Sequence, residues 1–187
     1  MEVKIGISAR HIHLNKTDCE LLFGKDYQLT EYRKLNQPGE FATQETVTIK
    51  TDKYEFNNVR VIGPIRNYTQ VEISKTDSYL LGINPPIRNS GDLEGAAMVK
   101  IIGPKGTIER ACCIIANRHI HVNKQDLETY GLVPNQIVKV KVDTIKGGIM
   151  DNVHVKYNEN YAFEMHIDLD DANAHFLNHN DIGYIIK

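Results

Sequence analysis

The sequence predicts a mainly β protein with short helices, built as two tandem, pseudo-symmetric small β-barrel domains packed around a shared di-metal site. Three observations carry that expectation. An Arg-His-Ile-His motif occurs at 10–13 and again at 118–121, so the chain reads as a degenerate duplication. Between and after the motifs lie many short runs rich in β-branched residues, separated by turn signals. The two histidines of each motif are spaced i, i+2, which in an extended strand puts both imidazoles on one face.

In chain order, residues 9–18 read ARHIHLNKTD and residues 117–126 read NRHIHVNKQD. Asn15 and Asn123 are matching helix N-caps, and the helix-like stretches CELLFG and LETYG end on Gly24 and Gly131, suited to a helix C-terminus. VTIKT (47–51), VRVIG (59–63) and MVKIIG (98–103) in the first half, and IVKVKV (137–142) and VHVKY (153–157) in the second, read as strands. QPGE, GPKG, KGG and YNEN supply turns between them. A second internal match aligns TQVEISKTDSYL (69–80) with FEMHIDLDDANA (163–174): Gln70, Glu72 and Ser74 share one strand face, and Glu164, His166 and Asp168 share its counterpart. Each strand then meets an Asp-containing helix start, at Asp77 and Asp171. The expected domains are 1–108 and 109–187, with the first strand able to pair with the second half.

Bulk properties exclude several classes. Basic residues form no stripe or cluster, which argues against a nucleic-acid partner. No apolar run approaches bilayer length, so no membrane partner is expected. Three cysteines, two of them adjacent, make a poor disulfide framework and point to a reducing cytoplasm. Cys112 and Cys113 read as packing residues of a buried strand.

A lone His-x-His on a strand is more often a packed or surface pair than a metal site. Repetition reverses that weight, because strand stability does not require the same two histidines at the same spacing twice. The aligned second strand then offers a third donor to each pair. His11, His13 and Glu72 form one set, and His119, His121 and His166 the other. Imidazole and carboxylate donors suit zinc, and three protein ligands leave a position open for chemistry. His154, His175 and His179 have no such counterparts, and Asp168, Asp170 and Asp171 read as an acidic helix start. Three loops add anion-binding chemistry: GPIRNYTQVE with Arg66, PPIRNSGD with Arg88 and Ser90, and NQPGE with Gln37 and Glu40. Together with the metal donors they favour an anionic, phosphate-bearing substrate.

The pair SARHIHL and NRHIHV, with NQPGE, GPIRNYTQVE and the RNSGD loop between them, resembles the PduL-type phosphate acyltransferases (phosphate propanoyltransferases) along essentially the whole chain. The resemblance implies two β-barrel domains, two Zn2+ per chain and the reversible reaction acyl-CoA + phosphate ⇌ acyl phosphate + coenzyme A. It implies that His11, His13 and Glu72 hold the zinc whose open position takes the coenzyme A sulfur, and that His119, His121 and His166 hold the other. Arg66 would grip phosphate, with Gln37, Glu40, Gln70 and Ser90 lining the pocket. A homo-oligomer is compatible with this reading. Microcompartment members of the family carry an N-terminal amphipathic extension, whereas here a strand begins within three residues of Met1; the expected location is therefore the cytoplasm, with a bacterial microcompartment the alternative. Two other functions remain open from the residues alone: a binuclear zinc hydrolase, which would turn over without phosphate, and a non-enzymatic metal-binding module.

Overall fold

A computed structural model describes residues 1–187. Along the chain, β1 (Glu2–Ser8) and β2 (His11–His13) precede α1 (Lys16–Phe23), and β3 (Glu31–Lys34), β4 (Phe41–Lys50), β5 (Glu55–Gly63) and β6 (Gln70–Glu72) lead to α2 (Lys75–Leu81). Next come β7 (Ile87–Arg88), β8 (Ala97–Ile102), β9 (Thr107–Ala116), β10 (His119–Val122) and α3 (Lys124–Tyr130). The chain closes with β11 (Ile137–Val142), β12 (Gly148–Tyr157), β13 (Glu164–Asp168), α4 (Leu169–Ala174) and β14 (Ile182–Ile186). It divides into a central unit, Arg10–Ala116, and a terminal unit formed by Met1–Ala9 with Asn117–Lys187. No helix is long and apolar enough to cross a membrane.

The terminal unit is a closed barrel in the order β1-β13-β10-β12-β11-β14. The central unit closes as well, since β8 pairs with both β4 and β9 and completes the ring β9-β6-β2-β5-β4-β8; β3 and β7 are added outside it, on β4 and β9. The rings correspond strand for strand, including direction. β2 runs parallel to β5 and antiparallel to β6, as β10 does to β12 and β13. β6 is parallel to β9, and β13 is parallel to β1. Full closure leaves no ring strand with an unpaired edge.

The correspondence accounts for the division of the chain. β9 occupies in the central ring the place that β1 occupies in the terminal ring, and each is the strand that leads into an Arg-His-Ile-His motif. The leading strand of each repeat therefore belongs to the other repeat's barrel. The break expected near residue 108 falls inside β9, and the units part at Ala9/Arg10 and Ala116/Asn117.

Alternation along the strands fills each ring with its own core. Ile12, Val47, Ile49, Val61, Val71 and Ile101 are buried in the central unit, and Val3, Ile5, Ile120, Val140, Val153 and Met165 in the terminal one. Cys112 and Cys113 are both buried within β9, where loss of water pushes the Cys112 thiol up to about 12 and the Cys113 thiol up also. Neither is a thiolate at neutral pH, in keeping with packing.

The helices start as the sequence suggests. Asn15 and Asn123 accept from the backbone N–H of Asp18 and Asp126, and Gly131 ends α3 in the left-handed conformation, φ 57°. Gly24 ends α1 differently, at φ 116° and ψ 160°. Asp77 and Asp171 occupy the N3 positions of α2 and α4, where they bond the N-cap residues Ser74 and Asp168. Each is gripped by the arginine that opens its repeat's motif. Arg10 meets Asp77 through Nε at 3.0 Å and Nη2 at 2.6 Å; Arg118 meets Asp171 through Nε at 2.9 Å and Nη2 at 2.7 Å. The motif strand is thus tied to the helix that follows the third-donor strand. Replacing Arg10 or Arg118 by alanine is expected to destabilise the fold by about 1–3 kcal/mol in urea denaturation, the range for a lost charge-assisted bond, with the larger loss at Arg10, whose partner Asp77 is buried while Asp171 is only partly so. Arg10→Lys should recover only part of that, because an ammonium cannot meet both carboxylate oxygens as a planar fork does.

Candidate functional site

The middle residue of each motif orients the other two. Ile12 and Ile120 are fully buried in their barrels, so the neighbouring histidines turn to the opposite face of the strand. On the antiparallel neighbour, Val71 and Met165 are equally buried, which turns Gln70 and Glu72, or Glu164 and His166, outward. Register completes the arrangement: His11 lies opposite Glu72 and His13 opposite Gln70, while His119 lies opposite His166 and His121 opposite Glu164.

Two groups of donors result, one in each unit. A donor atom from each of His11, His13 and Glu72 lies within 4.8 Å of the others, and the same holds for His119, His121 and His166. In the central unit His11 Nε2 stands 3.6 Å from Glu72 Oε2, and the His11 and His13 rings meet edge-on at 5.0 Å. In the terminal unit His119 Nε2 and His121 Nε2 approach to 3.1 Å, and the His166 ring centroid lies 5.4 Å and 4.6 Å from those of His119 and His121.

These donors fit a divalent transition metal. A backbone carbonyl only accepts, so the 3.1 Å bond from His13 to Ile62 O and the 2.8 Å bond from His119 to Asn117 O place a proton on each Nδ1. That leaves the lone pair of each neutral ring on Nε2, the outer-shell arrangement that fixes the tautomer of a metal-binding histidine. Burial pushes the His13 imidazole well below its ordinary range, and the charges of His11 and Arg66 act in the same direction against Glu72 and the Ile62 carbonyl. A histidine held neutral is the form that binds metal. Three protein donors in each group leave room for a further ligand.

Beside the central group stands a polar cluster centred on Arg66. The loop after β5 is pinned to the motif strand where the Arg66 N–H donates to Leu14 O at 2.9 Å. The Arg66 guanidinium reaches Glu40 Oε1 at 2.7 Å, the Tyr68 hydroxyl at 2.7 Å and Ser90 Oγ at 3.3 Å. The Gln70 amide donates to Ser90 Oγ at 2.9 Å and to Glu72 Oε1 at 2.6 Å. A continuous hydrogen-bonded chain therefore runs from Arg66 through Ser90 and Gln70 to Glu72. Gln37 is buried in the turn below, where its carbonyl accepts from the Glu40 N–H at 3.1 Å.

The structure thus brings together Glu40, Arg66, Gln70, Ser90 and the central donor group. Arg88 behaves differently: its side chain is spent on its own loop, donating to Glu94 O and Ile87 O at 3.0 Å each and facing Asp92 at 3.5 Å. Two residues escaped the sequence reading. Tyr68 lies two places after Arg66 in the bend that follows β5, and its hydroxyl accepts from the guanidinium at 2.7 Å. Glu164 is only 4% exposed, with Oε2 at 2.8 Å from His166 Nε2, and it occupies on β13 the place that Gln70 holds on β6. The aligned strand faces already contained that signal.

Comparison with known proteins identifies the family. The family model described as phosphate propanoyltransferase matches residues 4–178. A phosphate propanoyltransferase of Thermotoga maritima is 48% identical over 185 residues, covering 98% of this chain and 88% of the relative. Others so named, from Lachnoclostridium phytofermentans and Rhodobacter capsulatus, are 45% and 43% identical over 92% and 99% of this chain and 81% and 86% of their own lengths.

Proposed function

The chain belongs to the phosphate propanoyltransferase family, which makes it a phosphate acyltransferase, and from that premise we propose that it moves a short acyl group, acetyl or propanoyl, reversibly between coenzyme A and inorganic phosphate with zinc at both donor groups. The observation that carries the proposal is the hydrogen-bonded chain joining Arg66, through Ser90 and Gln70, to Glu72 of the central donor group. It supports an anion grip at Arg66 joined to a metal group at Glu72 through one hydrogen-bonded network.

In the forward direction a phosphate oxygen bonds to the thioester carbonyl carbon, the C–S bond breaks, and coenzyme A leaves as its thiolate. His11, His13 and Glu72 would hold one zinc, and His119, His121 and His166 the second, in keeping with the donor atoms gathered in each unit. Bound zinc supplies Lewis acidity, favouring thiolate over thiol and balancing negative charge on phosphate. Arg66 contributes what the metals do not: a planar, permanently charged fork that fixes the orientation of phosphate. In the absence of phosphate its charge is balanced by Glu40 at 2.7 Å, so the guanidinium is already held in place when the anion arrives. The hydroxyls of Tyr68 and Ser90, both bonded to Arg66, stand ready to donate to phosphate oxygens. Gln37 would complete the wall below Glu40. Arg88, engaged by its own loop, is proposed to act by holding the 88–94 turn that presents Ser90 and the Gly91 N–H.

Three results are expected. Thiol release from acetyl- or propanoyl-coenzyme A should rise with phosphate concentration and stop on chelation; release of the same extent without phosphate would overturn the acyltransferase reading in favour of hydrolysis. Arg66→Ala should lower kcat/KM by roughly 10²–10³, as for loss of a charge-stabilising donor, mainly through phosphate dependence. Glu72→Ala and His166→Ala should each reduce the zinc content found by elemental analysis by one ion per chain.

A further inference from the structure

Beside the third donor of each unit stands a residue whose polarity is opposite in the two repeats. Gln70 faces His13 across the strand pair, and Glu164 faces His121; both are buried, at 0% and 4% exposure. The Gly91 N–H donates to Gln70 Oε1 at 2.8 Å, which fixes the amide so that its NH2 points at Glu72 Oε1, 2.6 Å away. Glu72, as a carboxylate, needs a donor, and an amide supplies one. In the terminal unit the third donor is an imidazole instead. Glu164 accepts from His166 Nε2 at 2.8 Å, which places the ring proton there and leaves the lone pair on Nδ1.

We infer that Gln70 and Glu164 are positioning residues matched to the third ligand each one faces, so that ligand and partner are interchangeable only as a pair: amide with carboxylate, carboxylate with imidazole. The inference rests on the proposed zinc ligands. A second consequence concerns charge. Each unit places one carboxylate at its group, within the ligand set as Glu72 and one hydrogen bond outside it as Glu164. Exchanging the third ligand alone would give one unit two carboxylates, or the other none. The neighbouring strand supports the pairing in the terminal unit. Gly6 lies opposite His166, and a Cβ there would sit 3.0 Å from His166 Cδ2 and 3.1 Å from Glu164 Oε1. Ile114 takes the same register position opposite Glu72 in the central unit, so the glycine leaves room specifically beside the histidine–glutamate pair.

Zinc affinity of the purified chain, measured by competition with a chromogenic chelator, tests this without reference to turnover. Glu164→Ala is expected to weaken one of two binding events by about 10- to 100-fold, the effect of losing an outer-shell partner, and to leave the other unchanged. Glu164→Gln keeps a side-chain carbonyl able to accept from His166 and should lose less, which separates loss of the bond from disturbance of the barrel. Glu72→His alone should weaken the central event, and Gln70→Glu added to it should restore affinity. Wild-type affinity at both events in Glu164→Ala, or tight binding by Glu72→His without Gln70→Glu, would overturn the inference while leaving the ligands standing. A wild-type chain that binds no zinc would overturn the ligand assignment beneath it.

Discussion

In both units the arrangement of the donors depends on the isoleucine between two histidines. Ile12 and Ile120 are wholly buried, each worth about 1.5–3 kcal/mol of apolar burial. A shift of one residue in either strand would expose that isoleucine and drive two imidazoles into the barrel core. The cost of burying unpaired polar rings adds to the lost apolar burial. The core therefore sets the register, and the register sets which residues stand opposite the histidines. The third donor and its positioning partner follow from that single choice of face, on β6 as on β13.

A second constraint ties each motif strand to a helix. Arg10 and Arg118 reach the N3 aspartates of α2 and α4, which themselves bond the cap residues of those helices. The helix that follows the third-donor strand is thus anchored to the strand that carries the first two donors. The four-residue motif has a division of labour: arginine fixes the helix, isoleucine fixes the barrel, and the two histidines are left for chemistry.

Much of this was legible in the chain because period-two alternation is local. The His-x-His spacing, the paired faces of 70–74 and 164–168, and the Asn caps all follow from neighbours in sequence. What depends on distant pairing was not legible. The partners of Arg10 and Arg118 lie 67 and 53 residues away, so nothing near the motif announces them. The place of β9 in the central ring is set by pairing with β6 and β8, which is why a break drawn from the repeat near residue 108 falls within a strand. The bonds from the Arg88 guanidinium to the Ile87 and Glu94 carbonyls depend on how its loop folds, which composition does not give. Glu164 shares a face with His166 in the sequence, but its bond to that ring depends on how the two side chains fold together.

On the proposed function, the two repeats use the same strand geometry to build two chemically unequal metal groups, one in each unit. Anomalous diffraction at the zinc edge, from crystals of the intact chain grown with zinc, tests it most directly. Two peaks are expected, one among His11, His13 and Glu72 and one among His119, His121 and His166, each about 2.0–2.2 Å from its donor atoms. A single peak, or peaks away from these six residues, would contradict the account.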